Sequence, residues 1–130
     1  MTDTFQPRSA LNLQTEIIYK IVSRTAWESA CKKTRFIGSA DDMRDGFIHF
    51  SQAHQISGTL SKHFQGQQDL LLIAVSAGIL GDTLAWEASR GGELFPHLYG
   101  PLPTALALWQ KPLEYDENNV AKFDAAWLAC

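Results

Sequence analysis

The sequence predicts a single α+β domain, and three observations carry this prediction. The chain has 130 residues, of which 45% are hydrophobic and 19% charged, the size and composition of one ordinary globular domain. Helix-like segments lie mostly in the first half of the chain and strand-like segments in the second, an order that favours α+β over a doubly wound α/β fold. Neither G-x-G-x-x-G nor G-x-x-x-x-G-K-[ST] occurs, so both common nucleotide-binding loops are missing from the sequence.

The first third of the chain predicts a strand, a helix and a loop. Residues 16–22 (EIIYKIV) are rich in β-branched and aromatic side chains, which is typical of a strand. In the segment that follows, Trp27, Ala30 and Cys31 share one face of a predicted helix. The polar stretch at 38–46, with its Gly, Ser and Asp residues, predicts a loop.

A second strand and a second helix are predicted next. Residues 46–50 form the strand, Ser51 is the expected N-cap of the helix, and Gly66 is its expected stop. Apolar residues at spacings of three and four mark its buried face: Ala53, Ile56, Leu60 and Phe64.

The second half of the chain predicts mainly strands. The continuous apolar run at 69–76 indicates a strand buried on both faces. Short strands are expected at 84–89 and 97–100, with a hairpin-like or open loop between them. Residues 104–110 predict one more strand, because prolines stand on both sides of the segment.

The two ends of the chain carry separate expectations. The tail, residues 116–130, predicts a closing amphipathic helix with Val120, Phe123 and Trp127 on one stripe and acidic residues near its start. Residues 1–15 are mostly polar and lack the apolar region of a signal peptide, so we expect a flexible leader before a domain at 16–130.

Composition disfavours several classes of protein. The net charge is −3 and basic residues form no run, which argues against DNA as a partner. No apolar run approaches the ~20 residues of a membrane-spanning helix. Cys31 and Cys130 form no CxxC pair or other metal spacing. A cytoplasmic location is the interpretation that follows.

His49 is the first candidate for chemistry, because it lies inside the apolar strand at 46–50. An imidazole titrates near neutrality, so His49 is either a core histidine satisfied by a hydrogen bond or part of an active-site wall. A zinc site made of His49, His54 and His97 is disfavoured, since no H-E-x-x-H or H-x-H pattern supports it. His63, in the last turn of its helix, is interpreted as a surface residue.

A second dense segment runs from residue 86 to residue 103. It mixes acid, base, imidazole and phenol groups between glycines and prolines, as substrate-facing loops do. The alternative is a surface hairpin whose aromatic residues belong to the core. Trp86 is the residue that we expect to form a pocket wall. The polar and aromatic members of the segment are Trp86, Glu87, Arg90, Glu93, His97 and Tyr99.

Five phrases of the sequence resemble an uncharacterised, mostly bacterial family catalogued as domain of unknown function 952. They are IIYKIVSRTAWESA, DGFIHFS, DLLLIAV, WEAS and FPHLYGPLP, and together they run from about residue 17 to residue 113. That family is in turn similar to the ADP-ribosyltransferase fold, a split mixed sheet with flanking helices that cradles NAD. The resemblance therefore implies an NAD-type or other nucleotide ligand.

The resemblance also assigns roles to individual residues. Tyr19 or Lys20 stands where those transferases place a ribose-binding histidine, so the His-Gly pair of that first motif is absent here. FIHFS is similar to the next motif, with His49 in place of a nicotinamide-stacking tyrosine and Ser51 as the small residue. It also looks like a phrase of RNA 2′-phosphotransferases. His97 falls near the last motif, where many transferases have a glutamate.

Two interpretations stay open. In the first, the chain is an ADP-ribosyltransferase-like or RNA 2′-phosphotransferase-like enzyme with His49 and His97 as catalytic residues and NAD as a cofactor or substrate. In the second, the same cleft belongs to a non-catalytic module that binds a small molecule or peptide. The two histidines discriminate between them, because an enzyme requires both in one cavity. The expected ligand-binding residues are Tyr19, Lys20, Ser51, Trp86, Glu87 and Tyr99.

Overall fold

The apolar run LLLIAVS forms the central strand, β4 (Leu70–Ser76), in the computed structural model, which describes residues 16–128. β4 pairs antiparallel with β1 (Ile17–Ser23) on one side and with β8 (Ala107–Pro112) on the other. Successive side chains of a strand point to opposite faces, so Ile73 packs in one core cluster and its neighbour Leu72 in a second. The prediction of a strand buried on both faces is confirmed.

A second three-stranded sheet contains both candidate histidines. Its order is β3 (Ile48–His49), β6 (Leu94–Leu98) and β5 (Leu84–Ala88), again antiparallel. The chain leaving β3 meets β1 of the first sheet through a bridge between Tyr19 and Ser51, whose backbone amides each donate to the other's carbonyl at 2.9 and 2.8 Å. The two sheets therefore meet beside the candidate histidines.

The remaining strands are short. β2 (Arg35–Phe36) pairs with β7 (Leu102–Pro103), and β9 (Glu114–Tyr115) pairs with β10 (Ala121–Lys122). The α+β class is confirmed. Every strand pair within residues 16–128 is antiparallel and the strands form separate sheets, so the split mixed sheet that the resemblance implies is not found among these residues.

Helices and short 3₁₀ segments accompany the strands. The α-helices are α1 (Arg24–Lys33), α2 (Ala40–Asp45) and α3 (Ile56–His63). The 3₁₀ segments are Ala53–Gln55, Ala77–Thr83, Arg90–Gly92, Thr104–Leu106 and Ala125–Leu128. No helix among residues 16–128 is long and apolar enough to cross a membrane.

Helix α1 agrees with its prediction except at Cys31. The hydroxyl of Ser23 accepts a hydrogen bond from the Ala26 amide and caps the helix. Trp27 and Ala30 are buried against the sheet, whereas Cys31 is exposed. Viewed down the helix axis, Ala30 and Cys31 flank Trp27 on its two sides, because residue i+3 falls short of a full 3.6-residue turn and residue i+4 goes past it. Only the Ala30 side faces the core. Cys130 lies outside the described residues, as does the predicted leader at 1–15.

The loop predicted at 38–46 is wrong, because this stretch contains helix α2. Ser39 and Asp42 form a reciprocal capping box: the Ser39 hydroxyl accepts from the Asp42 amide at 3.3 Å, and the Asp42 carboxylate accepts from the Ser39 amide at 2.8 Å. Gly46, with φ of 88°, ends the helix in the left-handed region that glycine tolerates. Polar residues that resemble a loop are here the start and the stop of a short helix.

Helix α3 begins later than the sequence predicts. A 3₁₀ turn comes first, and Ser51 is not the N-cap: its backbone pairs with Tyr19, and its hydroxyl lies 3.0 Å from the Thr59 hydroxyl. The predicted buried face is confirmed at Ile56 and Leu60. The pairing with Tyr19 extends the strand through Ser51, which moves the helix start downstream.

The closing helix predicted at 116–130 is also wrong. Strands β9 and β10 form a hairpin there, and the Asp116 carboxylate accepts from the backbone amides of Asn118 and Val120 at 2.8 and 2.9 Å. An aspartate that bonds the amides just after it favours a turn over a helix. Val120 is 55% exposed, while Phe123 and Trp127 pack against the second core cluster.

Candidate functional site

A cavity of about 240 Å³ opens where the two sheets meet helices α2 and α3. Strand β1 contributes one wall, β3 and the bridge residue after it a second, and the end of β6 a third. Titratable side chains of both signs face it. They include Lys20, Asp42, Asp45, His49, Arg90 and His97.

The structure brings most of the predicted site residues to this cavity. Those that line it are Tyr19, Lys20, His49, Ser51 and His97. Trp86, the expected pocket wall, does not line it and packs instead against the first core cluster. Glu87 and Tyr99 also lie off the cavity surface: Glu87 binds His97 Nδ1, and the Tyr99 hydroxyl donates to Glu87.

His49 and His97 are direct cross-strand neighbours. Their Cα atoms are paired in the β3–β6 register, so both side chains stand on the same face of the sheet. The ring centroids lie 5.6 Å apart in an edge-on arrangement. Phe47 stacks on the His97 ring at 4.0 Å and contacts the His49 ring at 4.6 Å, so an aromatic side chain supports both imidazoles.

A carboxylate orients His97. The ring is 7% exposed, and its Nδ1 lies 2.6 Å from Glu87 Oε1, which also accepts from the Tyr99 hydroxyl at 2.8 Å. These two hydrogen bonds lower the pKa of Glu87 and favour its ionised form. An ionised partner fixes the hydrogen on Nδ1, which leaves Nε2 of the neutral ring as an acceptor.

His49 depends on the buried carboxylate of Asp42, which is 1% exposed. Asp42 accepts from His49 Nδ1 at 2.6 Å, from the His49 amide at 3.0 Å, and from Lys20 Nζ at 2.9 Å. Burial alone would raise the pKa of Asp42, but the hydrogen bond from His49 and the charge of Lys20 outweigh it and hold that pKa well below its usual range.

Lys20 is the counterion of this carboxylate and is itself buried. Burial lowers the pKa of Lys20, and the attraction of Asp42 offsets part of that effect. The pair leaves little net charge on this wall of the cavity. The role of Lys20 is to hold the Asp42 carboxylate ionised and fixed beneath His49.

A second carboxylate lies on the other side of the His49 ring. Asp45 Oδ2 is 2.9 Å from Nε2 of His49, one turn of helix α2 away from Asp42. The charged imidazolium is the one form of the ring that has a hydrogen for each carboxylate. Both ring nitrogens of His49 therefore face a carboxylate, whereas among the described residues only Nδ1 of His97 does.

Several cavity residues are not singled out by the sequence, among them Asp42, Asp45 and Thr59. Arg90, a member of the dense segment at 86–103, also lines the cavity, although the sequence assigns it no individual role. The S-x-x-D pattern that starts at Ser39 is the signal that indicates α2 and its buried acid. His63 is exposed, as expected from the sequence, and it also lines the cavity, where desolvation and the nearby charge of Arg90 lower its pKa.

The three-histidine zinc site does not form. His54 lies away from the cavity lining, where its Nε2 is 2.8 Å from Glu93. Within the described part of the chain, no three His, Cys, Asp or Glu side chains are placed to hold a metal ion.

Comparisons with known proteins give a family and related structures. The family described as "Protein of unknown function (DUF952)" matches residues 21–109. The crystal structure of protein CC0527 from Caulobacter crescentus is 46% identical, with a TM-score of 0.83 over 88% of this chain and 99% of that chain. The solution NMR structure of CC0527 is 48% identical, with a TM-score of 0.74 over 82% of this chain and 91% of that chain. No curated protein matches the sequence.

Proposed function

Because the chain belongs to the DUF952 family, whose function is unknown, we propose its activity from the site itself: the cavity binds a small nucleotide-like phosphorylated molecule and catalyses proton transfer on it. One observation carries this proposal. His49 and His97 are cross-strand neighbours that line one cavity, and each has its Nδ1 held 2.6 Å from a carboxylate.

The pair supplies the two roles that acid–base catalysis needs. His97, with Nδ1 bound to Glu87, can take a proton through Nε2, while His49 between Asp42 and Asp45 can give one. A positioned acid or base contributes about 10²–10⁴-fold to a reaction rate. Carboxylates on the far nitrogens keep each ring in the tautomer that its role requires.

The size and chemistry of the cavity support a nucleotide-type ligand. A volume of about 240 Å³ is slightly below the roughly 300–1,000 Å³ of most ligand pockets, so it suits one sugar-phosphate or ring system. NAD would place one half inside and the other half beyond the opening. Aromatic walls at Tyr19, Phe50 and Phe95 can pack against a planar ring.

A non-catalytic binding module is the second candidate, and Asp45 favours it. Its carboxylate lies 2.9 Å from His49 Nε2, so that nitrogen already has a partner in the protein. A ligand could then be held by the same walls with no proton moved. Turnover, measured separately from binding, discriminates between the two candidates.

The test measures binding and turnover with NAD, ADP-ribose and a 2′-phosphorylated dinucleotide. A ligand at 100 times its Kd stabilises the fold by about 2.7 kcal/mol, which raises Tm by several degrees. His97→Gln keeps a donor for Glu87 but removes the titratable ring, so we expect binding within a few-fold of wild type and a turnover loss of about 10²-fold or more. His54→Gln, outside the cavity, is the matched control and should change neither.

Each outcome has a consequence. If no ligand in the panel raises Tm at millimolar concentration, the nucleotide proposal is wrong. If a ligand binds but chromatography of the mixture shows no product, the binding module is the correct alternative. If His54→Gln loses turnover as completely as His97→Gln, the loss does not report on the cavity and the catalytic pair is wrongly assigned.

A further inference from the structure

We propose that Arg90, together with the hydroxyls of Ser51 and Thr59, forms the subsite that binds the phosphate of the ligand. This inference rests on the cavity of the proposed function and names the group that one end of that cavity recognises. The three side chains come from different parts of the chain: the bridge residue two positions after β3, helix α3, and the 3₁₀ turn between β5 and β6.

Arg90 differs from the other two long cations of the cavity in its partners. Lys20 is paired with Asp42, and Arg44 is bound to Asp41 and Asp45. Arg90 makes no ion pair with a described residue. Its charge helps to lower the pKa of Glu93, after the larger effects of Gln55 and His54, but that carboxylate is hydrogen-bonded to Gln55 and His54.

The contacts that Arg90 does make are long. Both terminal nitrogens lie 3.4 Å from Thr59 Oγ1, and Nη2 lies 3.5 Å from the carbonyl of Gln55. These distances exceed the 2.7–3.2 Å that is usual for an N–H···O bond. The guanidinium plane also lies over the Phe95 ring, with Cζ 4.8 Å from its centroid. Packing therefore positions the guanidinium, and its donors remain available to a stronger acceptor.

Two hydroxyls complete the subsite. Ser51 is 4% exposed, and its Oγ lies 3.0 Å from Thr59 Oγ1, which is also the Arg90 contact. Either hydroxyl can rotate to donate to an incoming oxygen. A tetrahedral phosphate presents several acceptor oxygens, and arginine binds phosphate through a fork of two N–H groups. Three donor groups around one point suit this anion.

Gly58 provides the space for the guanidinium. It lies in the middle of helix α3, where glycine is less favourable than alanine. A Cβ atom built on Gly58 would stand 3.0 Å from Arg90 Nη2 and 3.5 Å from Cζ. The absence of a side chain on this turn of the helix is what lets the guanidinium approach Thr59. The glycine thus explains how Arg90 reaches the cavity.

The first experiment titrates inorganic phosphate at constant ionic strength, with chloride as the reference, and follows Tm and the heat of binding. We expect phosphate to raise Tm of the wild type above the chloride reference and Arg90→Gln to bind phosphate at least tenfold more weakly. Arg24→Gln is the matched control, because Arg24 is bound to Asp69 outside the cavity; its affinity should stay within twofold of wild type.

A second variant moves the guanidinium without removing its charge. Gly58→Ala places a methyl group against Nη2, so we expect phosphate affinity to fall several-fold while Tm without phosphate stays equal to wild type or rises, since alanine favours the helix. Ser61→Ala, an exposed position of the same helix, should leave phosphate affinity unchanged.

Arg90→Gln or Gly58→Ala with full phosphate affinity would overturn the subsite, as would stabilisation by phosphate no greater than that given by chloride. Parallel titrations with sulfate and acetate identify the preferred anion. Acetate binding as tight as phosphate binding would overturn the assignment to phosphate.

The outcome is separable from that of the proposed function. Phosphate binding that depends on Arg90, with no nucleotide turnover in the wild type, keeps this subsite and removes the enzyme proposal. Turnover that depends on His97 but is insensitive to Arg90→Gln and Gly58→Ala keeps the enzyme and removes the subsite.

Discussion

Asp42 joins the stability of the fold to the geometry of the site. Its carboxylate is almost fully buried, and it receives hydrogen bonds from Lys20, from the His49 ring and from two backbone amides. Because one side chain caps helix α2, neutralises Lys20 and orients His49, a change here affects all three at once.

Asp42→Asn tests this role at neutral pH. The substitution keeps the shape of the side chain but leaves Lys20 buried without its counterion, and breaking a buried pair from one side costs about 3–5 kcal/mol. Urea denaturation at pH 7 measures the loss. Asp41→Asn is the matched control in the same turn of α2; its carboxylate is 61% exposed, so we expect a change within about 0.5 kcal/mol. A loss below about 1 kcal/mol at Asp42 would contradict the buried ion pair.

The pH dependence of that loss has a defined sign. The pKa of Asp42 in the fold lies well below its usual range, while an unfolded aspartate titrates near about 3.9. The stability from its charge is thus fully present above the unfolded value and declines as pH falls through the lower folded value. The difference in free energy of unfolding between wild type and Asp42→Asn should therefore narrow from pH 5 to pH 3. Histidines ordinarily carry their proton throughout this range, so their titration contributes little to the change. Urea denaturation of both proteins at pH 5, 4 and 3 measures this difference. A difference that stays constant over these pH values would contradict the prediction.

At the residue scale, the sequence indicates the histidines but not their partners. His49 and His97 stand out because an imidazole within an apolar strand is unusual, and both line the cavity. Asp42 and Asp45 reach His49 only because α2 turns back against β3, an arrangement that local sequence does not specify. Trp86 has the composition of a pocket wall, but its place in the core depends on the packing of β5 against the first cluster.

At the scale of single elements, the end of helix α1 carries strain. Thr34 adopts φ of 65°, and its amide closes the helix by donating to the carbonyls of Ala30 and Cys31. This left-handed conformation costs a residue with a Cβ roughly 1–2 kcal/mol, and β-branched threonine tolerates it poorly. Glycine would adopt it without that cost.

Thr34→Gly should therefore stabilise the fold by about 0.5–1 kcal/mol, the strain relief less the extra chain entropy of glycine. Lys33→Gly is the control: the position is helical, and glycine there should cost up to about 1 kcal/mol. Chemical denaturation of both variants against the wild type checks the opposite signs. A Thr34→Gly variant no more stable than wild type would show that the C-cap is unstrained.

The elements that local sequence predicts well are those with one dominant signal. β4 is a continuous apolar run, and α1 combines a serine cap with a clear apolar stripe. The tail has two competing signals, because the stripe of Phe123 and Trp127 suits a helix while Asp116 suits a turn. The turn prevails since Asp116 satisfies two backbone amides locally, and both aromatic residues still reach the second core cluster from a hairpin and a 3₁₀ turn.

At the scale of the whole molecule, strand β1 belongs to two cores at once. Ile18 packs in the cluster on one face of the central sheet and Ile21 in the cluster on the other, and both are buried. The same strand bridges to the second sheet through Tyr19. The cavity thus lies at a junction that both cores support.

The same substitution on both faces of β1 tests this two-core architecture. Ile18→Val and Ile21→Val each remove one buried methyl group, so each should cost about 0.5–1.5 kcal/mol in urea denaturation. The residues are three apart on opposite faces, about 10 Å along the strand, so the double variant should lose the sum within about 0.5 kcal/mol. Ile79→Val is the control, because Ile79 is exposed and its loss should stay within about 0.5 kcal/mol. If Ile21→Val behaved like this control while Ile18→Val did not, the second cluster would be a covering layer with no share in the stability of the fold, and the cavity would rest on the first core alone.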